Sequence, residues 1–203
     1  MLDQEWTRFL DACGFEPLIM PNTLADPARF ALRMGVTGVI LTGGNNLSGS
    51  VTTMNHRPIE HLPTMDDLAP ERDKTETALL HASVERKLPV LAACRGMQIL
   101  NVFHGGRIRP VEGHVGHRHL LTRCASMRAG GTLLFDDKVN SFHDYGMSTD
   151  DIAPGFEILA RAGDVVEAVV HRTYPHFGIM WHPERNAPFS KNDINLFHGV
   201  FGT

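Results

Sequence analysis

A short apolar run, Pro89-Val90-Leu91-Ala92-Ala93, meets a helix-like segment at one cysteine, Cys94, and this junction restricts the fold of the chain more than any other feature. An apolar run without polar alternation reads as a strand covered on both faces, which requires a sheet with helices on both sides. After it, Met97, Ile99, Leu100 and Phe103 fit a helix ending at Gly105-Gly106. Strand, tight turn and helix together make a nucleophile elbow with Cys94 at its tip. Ala92 and Gly96 are small enough to let the turn close, and the N-terminus of the following helix favours a thiolate.

The rest of the chain alternates helix and strand signals, which argues for a three-layer α/β fold of flavodoxin-like type with a mostly parallel sheet. Leu2 to Cys13 reads as an amphipathic helix stopped by Gly14 and leading into a strand at Glu16 to Met20. Val36 to Leu41 reads as the next strand and Arg72 to Arg86 as a helix feeding the Cys94 strand. Between them, Asn45 to Pro70 is a proline-punctuated irregular stretch of the kind that covers substrates. A β-like run from Gly131 to Asn140, strands at Phe156 to Arg161 and Val165 to His171, and a closing helix from Lys191 to Phe201 complete the pattern.

A cysteine nucleophile needs a base and a group to orient that base. Phe177 to Glu184 supplies both, as an apolar run ending in His182 and Glu184. Alternate residues at a strand end project to one side, so the pair can lie together at the carboxyl edge of the sheet. Cys94, His182 and Glu184 are therefore the candidate catalytic set.

Composition narrows the alternatives. The 203 residues are 42% hydrophobic and 21% charged, ordinary for one globular domain spanning 1–203. A net charge of −4 and the absence of a basic stripe with interleaved aromatics argue against nucleic acid as a partner. No signal-peptide pattern and no apolar run near the ~20 residues of a membrane helix occur, so a cytoplasmic chain with no membrane contact is expected. Three cysteines, at 13, 94 and 124, do not suggest a disulfide framework.

Cys-Arg-Gly-Met-Gln at 94–98, Trp-His-Pro-Glu at 181–184 and Thr-Gly-Gly-Asn at 42–45 resemble class I glutamine amidotransferases. The form of the elbow, Glu-Arg-Asp at 71–73 and Val-Asn-Ser-Phe-His at 139–143 resemble the γ-glutamyl hydrolase branch, which includes γ-glutamyl-γ-aminobutyrate and γ-glutamyl-CDP-amidate hydrolases. The resemblance runs in consistent order from about Leu2 to Phe201 and implies that fold and a γ-glutamyl amide substrate. It places Gly44 and Arg95 in an oxyanion hole beside Gly43. Gln98 is implied to hold the glutamyl portion, unless it only caps its helix. Ser141, Phe142 and His143 are implied to receive the α-amino and α-carboxylate groups. Arg72 and Asp73 are implied to bind substrate or shape the site, unless they are only a helix N-terminal acid and its ion-pair partner.

Three departures qualify this picture. Ala92 stands where the family elbow usually begins with glycine, and Phe-His-Asp-Tyr at 142–145 replaces the His-His-Gln of polyamine-type members. Thr-Gly-Gly-Asn-Asn-Leu at 42–47 with Ala-Pro-Glu-Arg-Asp at 69–73 is closer to members linked to surface-polysaccharide phosphoramidates, so a nucleotide phosphoramidate leaving group is one expectation. The family's opening β-strand also has no counterpart at residues 1–4, where the pattern is already helical. No metal or organic cofactor is implied. A free-standing hydrolase is favoured over a glutaminase subunit feeding ammonia to a separate synthase, or a silent relative; a homodimer or a synthase partner stays open.

His114, His117 and His119 invite a metal reading, but the spacing lacks a fourth ligand and Arg118 and Arg123 stand nearby. The expectation is no metal and a polar flap beside the site.

Overall fold

The structure, a computed structural model, describes residues 4–59, 62–124 and 135–202. Helix α1 (Gln4–Ala12) buries Trp6, Phe9 and Leu10 and ends at Gly14, whose φ of 74° suits a residue without Cβ. Helix α2 (Pro27–Arg33) is capped by Asp26, which accepts the Arg29 N–H. Strand β1 (Val39–Leu41) follows. Helix α3 (Pro70–Arg86) starts with proline and two first-turn acids and closes on Lys87 in the left-handed conformation. Then come β2 (Val90–Ala93), α4 (Arg95–Phe103), β3 (Arg109–Pro110), β4 (Val115–Leu120) and β5 (Thr122–Arg123). Strands β6 (Lys138–Phe142), β7 (Tyr145–Gly146), β8 (Phe156–Ala162), β9 (Val165–His171) and β10 (His176–Ile179) lead to the last helix, α5 (Lys191–Phe201).

The main sheet has the order β1-β2-β10-β9-β8-β5. β1, β2 and β10 are mutually parallel, while β9 is antiparallel to β10 and β8 to β9, so four of the six strands run the same way. This is the α/β architecture read from the sequence, with an antiparallel wing attached. β2 is buried on both faces, as its uninterrupted apolar run requires. Val90 and Ala92 join the core beneath α3 and α4, while Leu91 and Ala93 join the core beneath α1 and α5. A separate hairpin-like pair, β4 with β6, lies beside the carboxyl edge of the sheet, and β3 pairs with β7.

Two expectations change. Glu16 to Met20 is not a strand: it carries Pro17, which cannot donate to a ladder, and it leaves Leu18 and Ile19 exposed. Strand β1 is three residues shorter at its start than Val36 to Leu41 and, among the described residues, pairs only with β2, at the sheet edge. Leu2 and residues 131–134 of the expected Gly131 to Asn140 run lie outside the described residues. The stretch from Asn45 to Pro70 is irregular where described, pinned by bridges of Asn46 to Leu68 and Thr52 to Pro58.

Candidate active site

The site forms where the parallel strands β1, β2 and β10 end. Cys94 occupies the turn between β2 and α4 with φ 53° and ψ −112°. Such positive φ is sparsely allowed for a residue with a side chain and costs on the order of 1–3 kcal/mol. The strain is held from both sides. The Cys94 N–H donates to the Ile179 carbonyl of β10 at 2.7 Å, and its carbonyl accepts the Gln98 N–H at 3.1 Å. Gly96 lets α4 settle onto the sheet, since a Cβ there would stand 2.2 Å from the Leu41 carbonyl oxygen. Ala92, opposite Leu41 on one side and Gly178 on the other, is fully buried.

His182 follows β10 and is fixed through its backbone. Asn140 of β6 accepts the His182 N–H at 2.8 Å and donates to the His182 carbonyl at 2.8 Å. The His182 Nδ1 lies 2.7 Å from Glu184 Oε1, within the short 3₁₀ turn Pro183–Arg185. This leaves Nε2 for the thiol of Cys94, the other hydrogen-bond partner of the ring. Burial disfavours the imidazolium, but the hydrogen bonds and negative charge of Cys94 and Glu184 outweigh it and raise His182 to about 9. Next door, Trp181 Nε1 donates to Asp193 at 2.9 Å, and burial raises that carboxyl to about 6 against the effect of this bond.

The glycine loop after β1 closes one side. A Cβ on Gly43 would come within 2.5 Å of His182 Cε1, and Gly44 has φ 135°, so both positions exclude larger residues. Arg72 holds this loop. Its Nη1 donates to the Gly43 carbonyl at 2.9 Å, its Nη2 to the Thr42 carbonyl at 2.6 Å and its Nε to Glu76 at 2.7 Å. Asp73 and Glu76 both pair with the buried Arg95, and Asp73 also accepts the Ser48 N–H at 2.8 Å. Arg72 thus pairs with Glu76, and Asp73 with Arg95 rather than with Arg72; Glu76, which sequence spacing did not single out, joins the two arginines. As the first residue of α4, Arg95 has an amide N–H without an acceptor inside the helix.

The remaining residues named from the sequence are distributed unevenly. The Gln98 side chain donates to the Tyr145 carbonyl at 2.9 Å, and His143 Nδ1 lies 3.1 Å from that same oxygen. Ser141 is fully buried, with its hydroxyl donating to the His114 carbonyl at 2.6 Å. Phe142 alone of these is exposed. Its ring meets His182 edge-on at 5.7 Å, under the Arg185 guanidinium at 4.6 Å. Two surface clefts, one around Leu62, Arg107 and Asp151 and one around Met54, Arg57 and His104, lie away from Cys94. Asn140 sat inside a quoted motif without a role; only the crossing of β6 over the His182 backbone reveals one.

Thiol, imidazole and carboxylate on consecutive links, with the glycine loop against the imidazole, make an arrangement chemically suited to acyl transfer. Comparison with known proteins agrees in kind. The Peptidase C26 family matches residues 1–184. A Lactococcus lactis protein named as glutamine amidotransferase-like is 31% identical over 91% of this chain and 82% of its own length. The gamma-glutamyl-gamma-aminobutyrate hydrolase of Escherichia coli O157:H7 is 28% identical, covering 98% of this chain and 84% of that one. The gamma-glutamyl-CDP-amidate hydrolase of Campylobacter jejuni is 28% identical over 74% and 63%. Among solved structures, one described as a GMP synthase component from Thermoplasma acidophilum matches with a TM-score of 0.68, covering 98% of this chain and 85% of the other. At 18% identity that likeness concerns the fold alone.

Proposed function

The chain belongs to the Peptidase C26 family and has the fold of class I glutamine amidotransferases, and on that premise we propose that it cleaves a γ-glutamyl amide bond through a Cys94 thioester. The observation that carries this reading is the strained Cys94 backbone facing an imidazole raised to about 9 by the cysteine and Glu184. An imidazolium beside a thiolate is the starting state for acyl transfer to sulfur.

Cys94 sulfur attacks the γ-carbonyl carbon, and the amides of Gly44 and Arg95 receive the developing oxyanion. His182 delivers its Nε2 proton to the departing nitrogen as the C–N bond breaks and a thioester remains. A water molecule then loses a proton to His182 and attacks the thioester; glutamate leaves and the thiolate–imidazolium pair is restored. Glu184 orients the ring and stabilises its charge throughout. Arg72, Asp73 and Glu76 act through the loop and through Arg95 as positioning residues rather than on substrate. Phe142 and Arg185, exposed at the rim beside His182, are placed to meet the leaving group, and a cationic stacked guanidinium suits an anionic one such as a nucleotide phosphoramidate.

The test mixes the protein with L-glutamine, γ-glutamyl-γ-aminobutyrate and γ-glutamyl-CDP-amidate, following glutamate release and the intact mass. The expected result is unaided release from one γ-glutamyl amide, a covalent glutamyl adduct, and loss of both in Cys94→Ala. Release confined to glutamine and dependent on an added synthase would replace the hydrolase by an ammonia-delivering subunit. Release that persists in Cys94→Ala would end the thioester mechanism.

A further inference from the structure

We propose that His114, His119 and Glu167 form a binding site for one divalent transition-metal ion of the zinc type, which takes water as its fourth ligand and fastens β4 to β9. The proposal is independent of the hydrolase reading. Five buried side-chain atoms here have no hydrogen-bond partner: His114 Nδ1, His119 Nε2, His143 Nε2 and both carboxylate oxygens of Glu167. Glu167 is completely buried, and an isolated carboxylate in that setting demands compensation.

The spacing is that of ligands around one small ion. Donor atoms of His114, His119 and Glu167 lie within 4.8 Å of one another. His114 Nδ1 is 3.3 Å and His143 Nε2 3.5 Å from Glu167 Oε1. Ligands at the ~2.0–2.1 Å of zinc–nitrogen and zinc–oxygen bonds stand about 3.3–3.4 Å apart in a tetrahedron, whereas a charge-assisted hydrogen bond closes to about 2.7–2.9 Å. Neutral His114 and His143, each with its proton on the facing nitrogen, reach Glu167 Oε1 only over long distances and leave His119 Nε2 and Glu167 Oε2 unserved. A cation serves His114, His119 and Glu167 together.

The surroundings match a ligand set in two further respects. His143 Nε2 lies 3.5 Å from Glu167 Oε1, an outer partner of the kind that orients ligating groups. The imidazoles of His114 and His119, and of His114 and His143, lie with centroids 4.2 and 4.8 Å apart, converging on the carboxylate. His117 is exposed and outside the group. Sequence spacing offers only three nearby histidines and so speaks against a metal; the fold leaves His117 out and brings in Glu167 from β9. Arg118 is turned toward Asn186 and the Lys138 carbonyl, and Arg123 toward Asp137, so neither charge is committed to this pocket. Two imidazoles and one carboxylate favour zinc or a neighbouring first-row ion over magnesium or calcium. The ion would bind as structure rather than as reagent, since β6 also carries the Asn140 clamp on His182.

The test uses Cys94→Ser protein, so that the active-site thiolate cannot supply a metal ligand. After equilibration with Zn2+ and dialysis, elemental analysis should give one zinc per chain, and Co2+ should yield the visible absorption of a four-coordinate nitrogen and oxygen site. Adding Glu167→Gln, which keeps the side-chain volume, or His119→Asn, at the half-exposed side of the cluster, should weaken Co2+ binding by about a hundredfold or more, with an unchanged far-ultraviolet circular dichroism spectrum. The proposal is overturned by substoichiometric zinc in folded Cys94→Ser protein, or by equal Co2+ affinity in the Glu167→Gln and His119→Asn derivatives.

Discussion

Gly96→Ala isolates geometry from chemistry at the elbow. Alanine gains about 0.5–1 kcal/mol over glycine within a helix, so the exchange would stabilise α4 if space allowed. Space does not allow it: the new Cβ would lie 2.2 Å from Leu41 O, 2.7 Å from Leu41 C and 2.8 Å from Leu41 Cβ, all under the 3.0 Å limit of real Cβ contacts. The nearest neighbour is strand backbone, which cannot rotate aside, so α4 must move by roughly 1 Å or β1 must bend. Overpacking of this kind costs about 1–3 kcal/mol, and on this rigid side the upper end applies. The net is a destabilisation of about 2–2.5 kcal/mol, a fall in Tm of roughly 4–10 °C for a chain of this size. Because α4 begins at the residue after Cys94, the thiol and the Arg95 amide shift with it, and a 1 Å misplacement of reacting groups costs about a hundredfold in rate. The assay pairs differential scanning calorimetry with kcat/KM on the best γ-glutamyl amide. A Gly96→Ala protein with a Tm at or above the parent and undiminished kcat/KM would refute the close-packing argument.

Other perturbations probe separate links. Asn140→Ala removes both bonds to the His182 backbone; the carbonyl keeps the Arg185 N–H but the buried His182 N–H is left unpaired, so chemical denaturation should show a loss of about 1–3 kcal/mol alongside a fall in kcat. In Glu184→Gln the loss of negative charge should lower His182 from about 9, moving the alkaline limb of the pH–rate profile toward neutrality; an unmoved limb would remove Glu184 from that role. The raised His182 also contributes stability that is complete below about pH 6.5 and is lost as pH rises through about 9, so Tm should decline over that window and decline less in His182→Gln. Burial, aided by the nearby His171, holds His104 at about 3 and His176 at about 4. Since the unfolded chain takes up protons first, stability should fall as pH drops from about 6.5 toward 4, by a few kcal/mol, and His104→Phe should flatten that slope.

Much of the scaffold is readable from local pattern. The β2 run, the Cys94 turn and the spacing of Met97, Ile99, Leu100 and Phe103 together specify a strand and helix that require covering on both faces. Helix 4–12 stops at Gly14, helix 70–86 opens on Pro70 with two first-turn acids, and helix 191–201 has Ser190 as its cap and Gly202 at its end. Where pairing is needed, local pattern loses its power: Glu16 to Met20 has strand-like residues but no partner, and a strand without a ladder is only extended chain. The antiparallel wing could not be ordered from sequence for the same reason, because its register depends on residues far apart in the chain.

The site divides along the same line. The amino-acid sequence by itself determined which groups are chemically fit to react, because Cys94 at an elbow and His182 two residues before Glu184 are short-range facts of residue type and spacing. Tertiary structure alone decided what holds them: Asn140 on the His182 backbone, Glu76 and Asp73 on Arg95, Arg72 on the glycine loop. It also replaced a local run of histidines with the convergence of His114 and His119 on Glu167. These partners come from different strands and helices, and their buried polar atoms can be satisfied only by whatever the completed fold sets opposite them.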